Sequence, residues 1–114
     1  MPTLNGSDWH LVATIEDVPE EDVIPVKVGD QLFALYNLNG LFFATDDLCT
    51  HEYARLSDGF VIDDIIECPL HQGRFHIPTG KAKGAPVICY LRTHKVKVEG
   101  DNVYIKVCQR DAFE

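Results

Sequence analysis

Short runs of alternating apolar and polar residues, broken by Gly, Asn, Asp or Pro, fill most of the chain. Trp9-His10-Leu11-Val12-Ala13 alternates loosely and predicts a first strand, and the acidic, proline-bearing stretch from Glu16 to Asp22 reads as the loop that follows. Val23 to Val28 predicts a second strand. Gly29-Asp30 turns the chain into Gln31 to Tyr36, and Asn37-Leu38-Asn39-Gly40 turns it into Leu41 to Thr45, so two hairpins follow in quick succession. Phe60 to Glu67 predicts a strand pair turned at Asp63-Asp64, and Phe75-His76-Ile77 a short strand. Leu91 to Val98 and Val103 to Val107 predict a last hairpin around Glu99-Gly100-Asp101-Asn102. No window carries an apolar stripe at helical spacing for ten or more residues, while Val, Ile, Phe and Tyr, which suit a pleated and half-buried surface, are plentiful. The pattern predicts an all-β antiparallel meander.

Three stretches fall outside the alternation: Asp46 to Arg55, Cys68 to Gly73, and Pro78 to Pro86, the last rich in Gly and Pro. The first holds Cys49-Thr50-His51 and the second Cys68-Pro69-Leu70-His71, with sixteen residues between His51 and Cys68. Each pair is short enough to sit on one loop, so two thiols and two imidazoles can converge on one metal centre. Structural zinc usually takes its Cys2His2 set as a Cys-Cys clip followed by a His-His clip. One Cys and one His in each clip fits a Rieske 2Fe-2S centre better, because there two thiolates hold one iron and two histidines the other. A structural zinc module is the competing reading of the same residues.

At these residues the sequence resembles the Rieske ferredoxins, most closely the small ferredoxin components of bacterial aromatic-ring dioxygenases. The likeness runs from about residue 8 to about residue 107. It includes Ala44-Thr45-Asp46-Asp47-Leu48, Leu56-Ser57-Asp58-Gly59, Gln72-Gly73-Arg74-Phe75 and Thr79-Gly80-Lys81-Ala82. The resemblance implies a Rieske-type antiparallel β-sandwich with two cluster-binding loops, about 46–55 and 68–73, at one end, and a Pro loop, about 78–86, covering one side. It implies that Cys49 and Cys68 bind the inner iron of one 2Fe-2S cluster, and His51 and His71 the outer. It also implies a one-electron carrier, not an enzyme, standing between a flavin-containing, NAD(P)H-dependent ferredoxin reductase and a terminal Rieske oxygenase. The alternative is a small Rieske subunit of another redox enzyme, such as an assimilatory nitrite reductase.

The sequence departs from that pattern at informative places. Glu52 stands where the family usually has Gly after the first His, and Ala54 and Leu70 stand where respiratory Rieske proteins carry a disulfide between the loops. Gly73 and Phe75 replace the Ser and Tyr hydroxyls of those proteins. Hydrogen bonds to cluster sulfurs favour the reduced state, so their loss predicts a potential near the low end of the range, about -150 mV. Each imidazole has a second nitrogen that can lose a proton in the oxidised state, so the potential is expected to fall as pH rises. Glu52 beside His51 is a candidate for lowering the potential slightly or for steering docking.

With 114 residues, 46% hydrophobic and 25% charged, the chain is expected to be a single domain, 1–114, with one core. The net charge of -8 comes entirely from residues 1–48, which hold nine acids and only Lys27 as a base. An acidic chain without a basic stripe argues against nucleic-acid binding and suggests steering toward a basic face on a redox partner. Met1-Pro2-Thr3-Leu4-Asn5 has no signal-peptide character, and the longest apolar runs, such as Leu32 to Tyr36, are about five residues against the ~20 that span a bilayer. A cytoplasmic, membrane-independent monomer is expected. Cys89 and Cys108 then read as reduced, mostly buried thiols. His10, His76 and His94 are assigned no role, Phe75 is assigned to the core, and Arg74, Lys81 and Lys83 are candidates for a docking rim. A freestanding oxygenase is excluded by size and by the lack of a second iron site built from His and carboxylate.

Overall fold

In the computed structural model, residues 9–48, 54–69, 73–83 and 91–107 are described. Among the described residues nine strands follow one another: β1 (Trp9–Thr14), β2 (Asp22–Val28), β3 (Gln31–Leu38), β4 (Leu41–Asp46), β5 (Phe60–Ile62), β6 (Ile65–Glu67), β7 (Arg74–His76), β8 (Thr93–Glu99) and β9 (Asn102–Lys106). They form two antiparallel sheets, one of six strands in the order β1-β9-β8-β4-β3-β2 and one of three in the order β5-β6-β7. The all-β expectation holds. The turns are tighter than the sequence suggested: Asn37 and Leu38 remain in β3, so that only Asn39 and Gly40 make the turn, with Asn39 at a φ of 62°. Two short 3-10 turns, Ile15–Asp17 and Leu56–Asp58, were not anticipated. The first had a local signal, an Asp three residues after Thr14, whose backbone N–H donates to Asp17 Oδ2 at 3.0 Å.

Strand β3 explains the apolar run from Leu32 to Tyr36. Ala34 and Tyr36 face a core shared with the three-stranded sheet through Ile66 and Phe75, while Phe33 and Leu35 face a second core with Val26, Ala44, Val103 and Ile105. A strand buried on both sides has no polar face, so alternation disappears there. The edge strands β1 and β2 also pack against each other, curling the larger sheet around the second core. Tyr36 brings a hydroxyl into the first core, and it is satisfied by Thr45 Oγ1 at 2.8 Å; Thr45 in turn donates to the Asp46 carbonyl at 2.8 Å. Burial pushes the Tyr36 phenol well above its ordinary pKa, the hydrogen bond to Thr45 opposing only part of that.

Register fixes which end of the fold carries the ligand stretches. Asp46, the last residue of β4, pairs with Phe33 near the start of β3, and Thr45 pairs with Thr93 at the start of β8. Glu67 ends β6 and pairs with both Phe60 and Arg74. The opposite end holds the Asn39-Gly40 and Gly100-Asp101 turns and the Asp63-Asp64 tip, which is tied to the larger sheet where Asp63 N–H donates to Glu21 Oε2 at 3.1 Å. Among the described residues, no helix is long and apolar enough to cross a membrane.

Candidate metal centre

Of the four candidate ligands, Cys68 lies among the described residues; Cys49, His51 and His71 lie outside them, as do Glu52, Leu70, Cys89 and Cys108. Cys68 is almost fully buried, in a core cluster with Ala54, Leu56, Ile66, Phe75 and Leu91. That wall excludes water from the Cys68 thiol. Phe75 is therefore a core residue, and where a hydroxyl would have reached toward a sulfur the chain offers a packed ring.

The roots of both loops are well defined. Leu48 and Arg55 form an isolated antiparallel bridge across the first loop, and Leu56 N–H donates to the Asp47 carbonyl at 2.6 Å. Across the second loop, Cys68 N–H donates to the Gly73 carbonyl at 2.7 Å, continuing the β6–β7 ladder past Glu67 and Arg74. The two roots are joined through the second 3-10 turn: Leu56 begins it on the Asp47 side, and Gly59, which follows it, lies so close to the Glu67 carbonyl oxygen that any Cβ would collide with it. The third stretch is anchored in the same way, by Lys83 N–H on the Arg74 carbonyl and Leu91 N–H on the Gly80 carbonyl, both at 2.8 Å. Gly80 has a φ of 76° and no room for a Cβ against the Leu91 carbonyl.

Asp46 ends β4 and Asp47 follows it, and the two carboxylates have different partners. Asp46 accepts from His94 Nε2 at 2.8 Å and Arg92 Nε at 3.2 Å, linking the entry of the first loop to the exit of the third. Partial burial raises its pKa, but the hydrogen bond from His94 and the Arg92 charge outweigh that, leaving the carboxyl below its ordinary value. Asp47 has no exposed surface and accepts from Ser57 N–H at 2.8 Å, Ser57 Oγ at 3.0 Å and Arg55 Nε at 3.2 Å. Composition and spacing gave neither carboxylate a role; the signal was their place just before the first Cys, in a stretch noted for its family likeness.

Of the remaining histidines, His76 and His94 bond within the fold. His94 lies edge-on to Phe33 as well as on Asp46, and His76 bridges Thr79 Oγ1 at 2.8 Å and Asp64 Oδ2 at 3.0 Å. His10 is exposed on β1. Arg74 pairs with Glu67 at 3.1 Å, and Lys81 and Lys83 are exposed. An acid-lined cleft of about 610 Å³, bordered by Glu20, Glu21, Leu38, Asn39, Asp63 and Asp64, sits at the opposite end from the ligand loops.

Cys68 is thus buried at a loop root that the second 3-10 turn joins to the root of the stretch carrying the other Cys-His pair in sequence. The Rieske [2Fe-2S] domain model matches residues 8–95. The chain belongs to the Rieske family. It is 48% identical over 100 residues to the ferredoxin component of the naphthalene 1,2-dioxygenase/salicylate 5-hydroxylase systems of a Ralstonia species, covering 88% of this chain and 96% of that protein. Among solved structures it is similar to the Sphingomonas yanoikuyae B1 ferredoxin, with a TM-score of 0.82 and 36% identity over 87% of this chain and 98% of that one. It is also similar to a chain of the complex of reduced oxygenase and oxidized ferredoxin in carbazole 1,9a-dioxygenase, with a TM-score of 0.81 and 35% identity over 86% and 92% of the two chains. Two thiols and two imidazoles are the donor set that the family's 2Fe-2S group takes, and Cys68, the one among the described residues, is buried at a loop root.

Proposed function

We propose that this Rieske protein is the electron-carrying ferredoxin of a multicomponent aromatic-ring dioxygenase or hydroxylase, working as a single domain over residues 1–114 in the cytoplasm. The observation that carries this reading is the 48% identity to a ferredoxin component, over 96% of that protein's length. Bound at the loops, a 2Fe-2S cluster supplies one-electron chemistry. Cys49 and Cys68 would hold its inner iron, and His51 and His71 the outer one, toward the partners. Burial of Cys68 among Ala54, Leu56, Ile66 and Phe75 keeps water from the thiolate side, and the apolar Phe75 supports a potential near the low end of the Rieske range, about -150 mV. The partners would be a flavin-containing, NAD(P)H-dependent ferredoxin reductase and a terminal Rieske oxygenase, met in turn by a monomer. The known complex of an oxygenase with a ferredoxin in carbazole 1,9a-dioxygenase supports the second partner.

The test is electron paramagnetic resonance of the dithionite-reduced protein. A signal with the low average g value of mixed histidine and thiolate ligation is expected, with loss of that signal in His71→Cys. An all-cysteine signal in the parent would overturn the ligand set, and a colourless protein with bound zinc would overturn the electron-transfer role. A large subunit that co-purifies stoichiometrically would shift the reading to a fixed subunit of another redox enzyme.

A further inference from the structure

Asp47 has no place in the ligand set, yet its carboxylate is completely enclosed. Enclosing a carboxylate is costly unless donors replace its water, so a structure that retains one there uses it. Its three side-chain bonds all come from residues 55–57: Oδ1 takes Ser57 N–H, and Oδ2 takes Ser57 Oγ and Arg55 Nε. Its main chain adds two more bonds, the carbonyl accepting from Leu56 N–H and the N–H donating to the Leu32 carbonyl at 3.4 Å. The donors therefore come from the segment that the chain enters on leaving the first ligand loop, while Asp47 lies two residues before Cys49 on the way in.

We propose that Asp47, with Ser57 and Arg55 as its donors, is a positioning residue for the first ligand pair, clamping the entry of the Cys49–His51 loop to its exit. The inference rests on the ligand reading above. A carboxylate suits this place because two oxygens with about four lone-pair sites can take three converging donors, whereas an amide of the same size must turn a donor of its own toward one of them. The node also reaches the other loop. Ser57 sits in the 3-10 turn that ends at Asp58, and Gly59 after it is pressed on the Glu67 carbonyl, next to Cys68. One buried side chain thus fixes the spacing of the first loop's two ends and registers that loop against the root of the second.

Three variants test it in the cluster-loaded protein: Asp47→Asn, Ser57→Ala and, as a contrast of similar overall destabilisation, Val103→Ala in the remote second core. The readouts are the rate of cluster bleaching under a chelator, the g values of the reduced protein and its reduction potential. Removing a partner that orients a metal ligand typically costs about 10–100-fold in metal affinity. D47N is accordingly expected to bleach at least about tenfold faster with shifted g values, S57A to change in the same direction by less, and a chain carrying both D47N and S57A to be no worse than D47N alone. V103A should bleach no more than about twofold faster, with parental g values and potential. If D47N fails to accumulate, S57A and Arg55→Gln decide by the same readouts. The proposal is overturned if the variants at the node keep parental g values, potential and bleaching rate, or if V103A bleaches as fast as D47N at equal loss of thermal stability. A parent lacking the mixed-ligand signal would instead overturn the ligand reading, so the two failures are distinguishable.

Discussion

The root of the first ligand loop is held by side chains, and the root of the second by main chain. At the first, a fully enclosed carboxylate gathers Ser57 and Arg55. At the second, the Cys68–Gly73 hydrogen bond extends the β6–β7 ladder, and the flanking Glu67–Arg74 pair opens to solvent at its Arg74 end, with the Arg74 side chain 58% and the Glu67 side chain 17% exposed. The difference follows from where each loop leaves the fold. The second loop is a hairpin between paired strands, so the ladder itself closes it. The first leaves the end of β4 and returns through a 3-10 turn, where no ladder continues beyond the single Leu48–Arg55 bridge. Without repeated main-chain bonds, a buried polar side chain has to do the closing.

The comparison can be broken most forcefully from the second root. Gly59→Ala would drive a Cβ into the Glu67 carbonyl, a backbone atom that cannot rotate away. A loss of about 3 kcal/mol is expected, at the upper end of ordinary overpacking, together with accelerated cluster loss, read by urea denaturation and chelator bleaching. An unchanged midpoint would mean that the junction between the roots tolerates displacement.

Asp46 gives the next effect. Asp46→Asn removes a carboxylate bonded by both His94 and Arg92 and should cost about 1–2 kcal/mol near neutral pH, seen as a lowered urea midpoint. The folded carboxyl lies below its ordinary pKa, so its contribution is complete above the unfolded value of about 3.9 and is lost as pH falls through the lower folded value. The stability gap between parent and D46N should therefore be constant from pH 7 to pH 5 and shrink below about pH 4. A gap that does not change with pH would mean that the charge on Asp46 contributes nothing.

Smaller still, Glu67→Gln should cost about 0.5 kcal/mol or less, because an ion pair this exposed is screened, and it should leave the bleaching rate near the parental value. A tenfold acceleration would erase the contrast between the two roots. Least of all, Glu20→Gln with Asp63→Asn should leave stability within about 0.5 kcal/mol and the potential unchanged. These carboxylates belong to an acidic end that includes Glu16, Asp17, Glu21 and Asp22 and lies at the far ends of the strands. The eight residues of β3 span about 25 Å, against a screening length of about 8 Å at physiological salt. Over that distance these far-end carboxylates are expected to act on the ligand end only weakly. A salt-sensitive drop in electron-transfer rate in this variant at physiological salt would contradict that.

Much of the molecule was legible in the sequence because the signals were local. Two-residue alternation gave the strands, Gly and Asn pairs gave the turns, and two Cys-His clips of fixed spacing gave the candidate ligands without any knowledge of distant contacts. Alternation was silent at β3, where burial on both faces removes the polar side that periodicity needs, and the flanking turns marked that strand instead. It failed at the 3-10 turns, which are too short to show a period of their own.

The division of labour among like residues was decided by tertiary structure alone. Nothing in composition or spacing separates Asp47, enclosed by donors eight and ten residues away, from Asp63, exposed at a hairpin tip. Asp46 depends on partners 46 and 48 residues on. Gly59 reads as a turn glycine until the fold presses it against the carbonyl before Cys68. A ligand's identity is a property of the side chain and can be read in order along the chain. Whether a carboxylate is a clamp or a surface charge depends on which donors the folded chain brings within about 3 Å of it, and that is set by contacts the linear order does not contain.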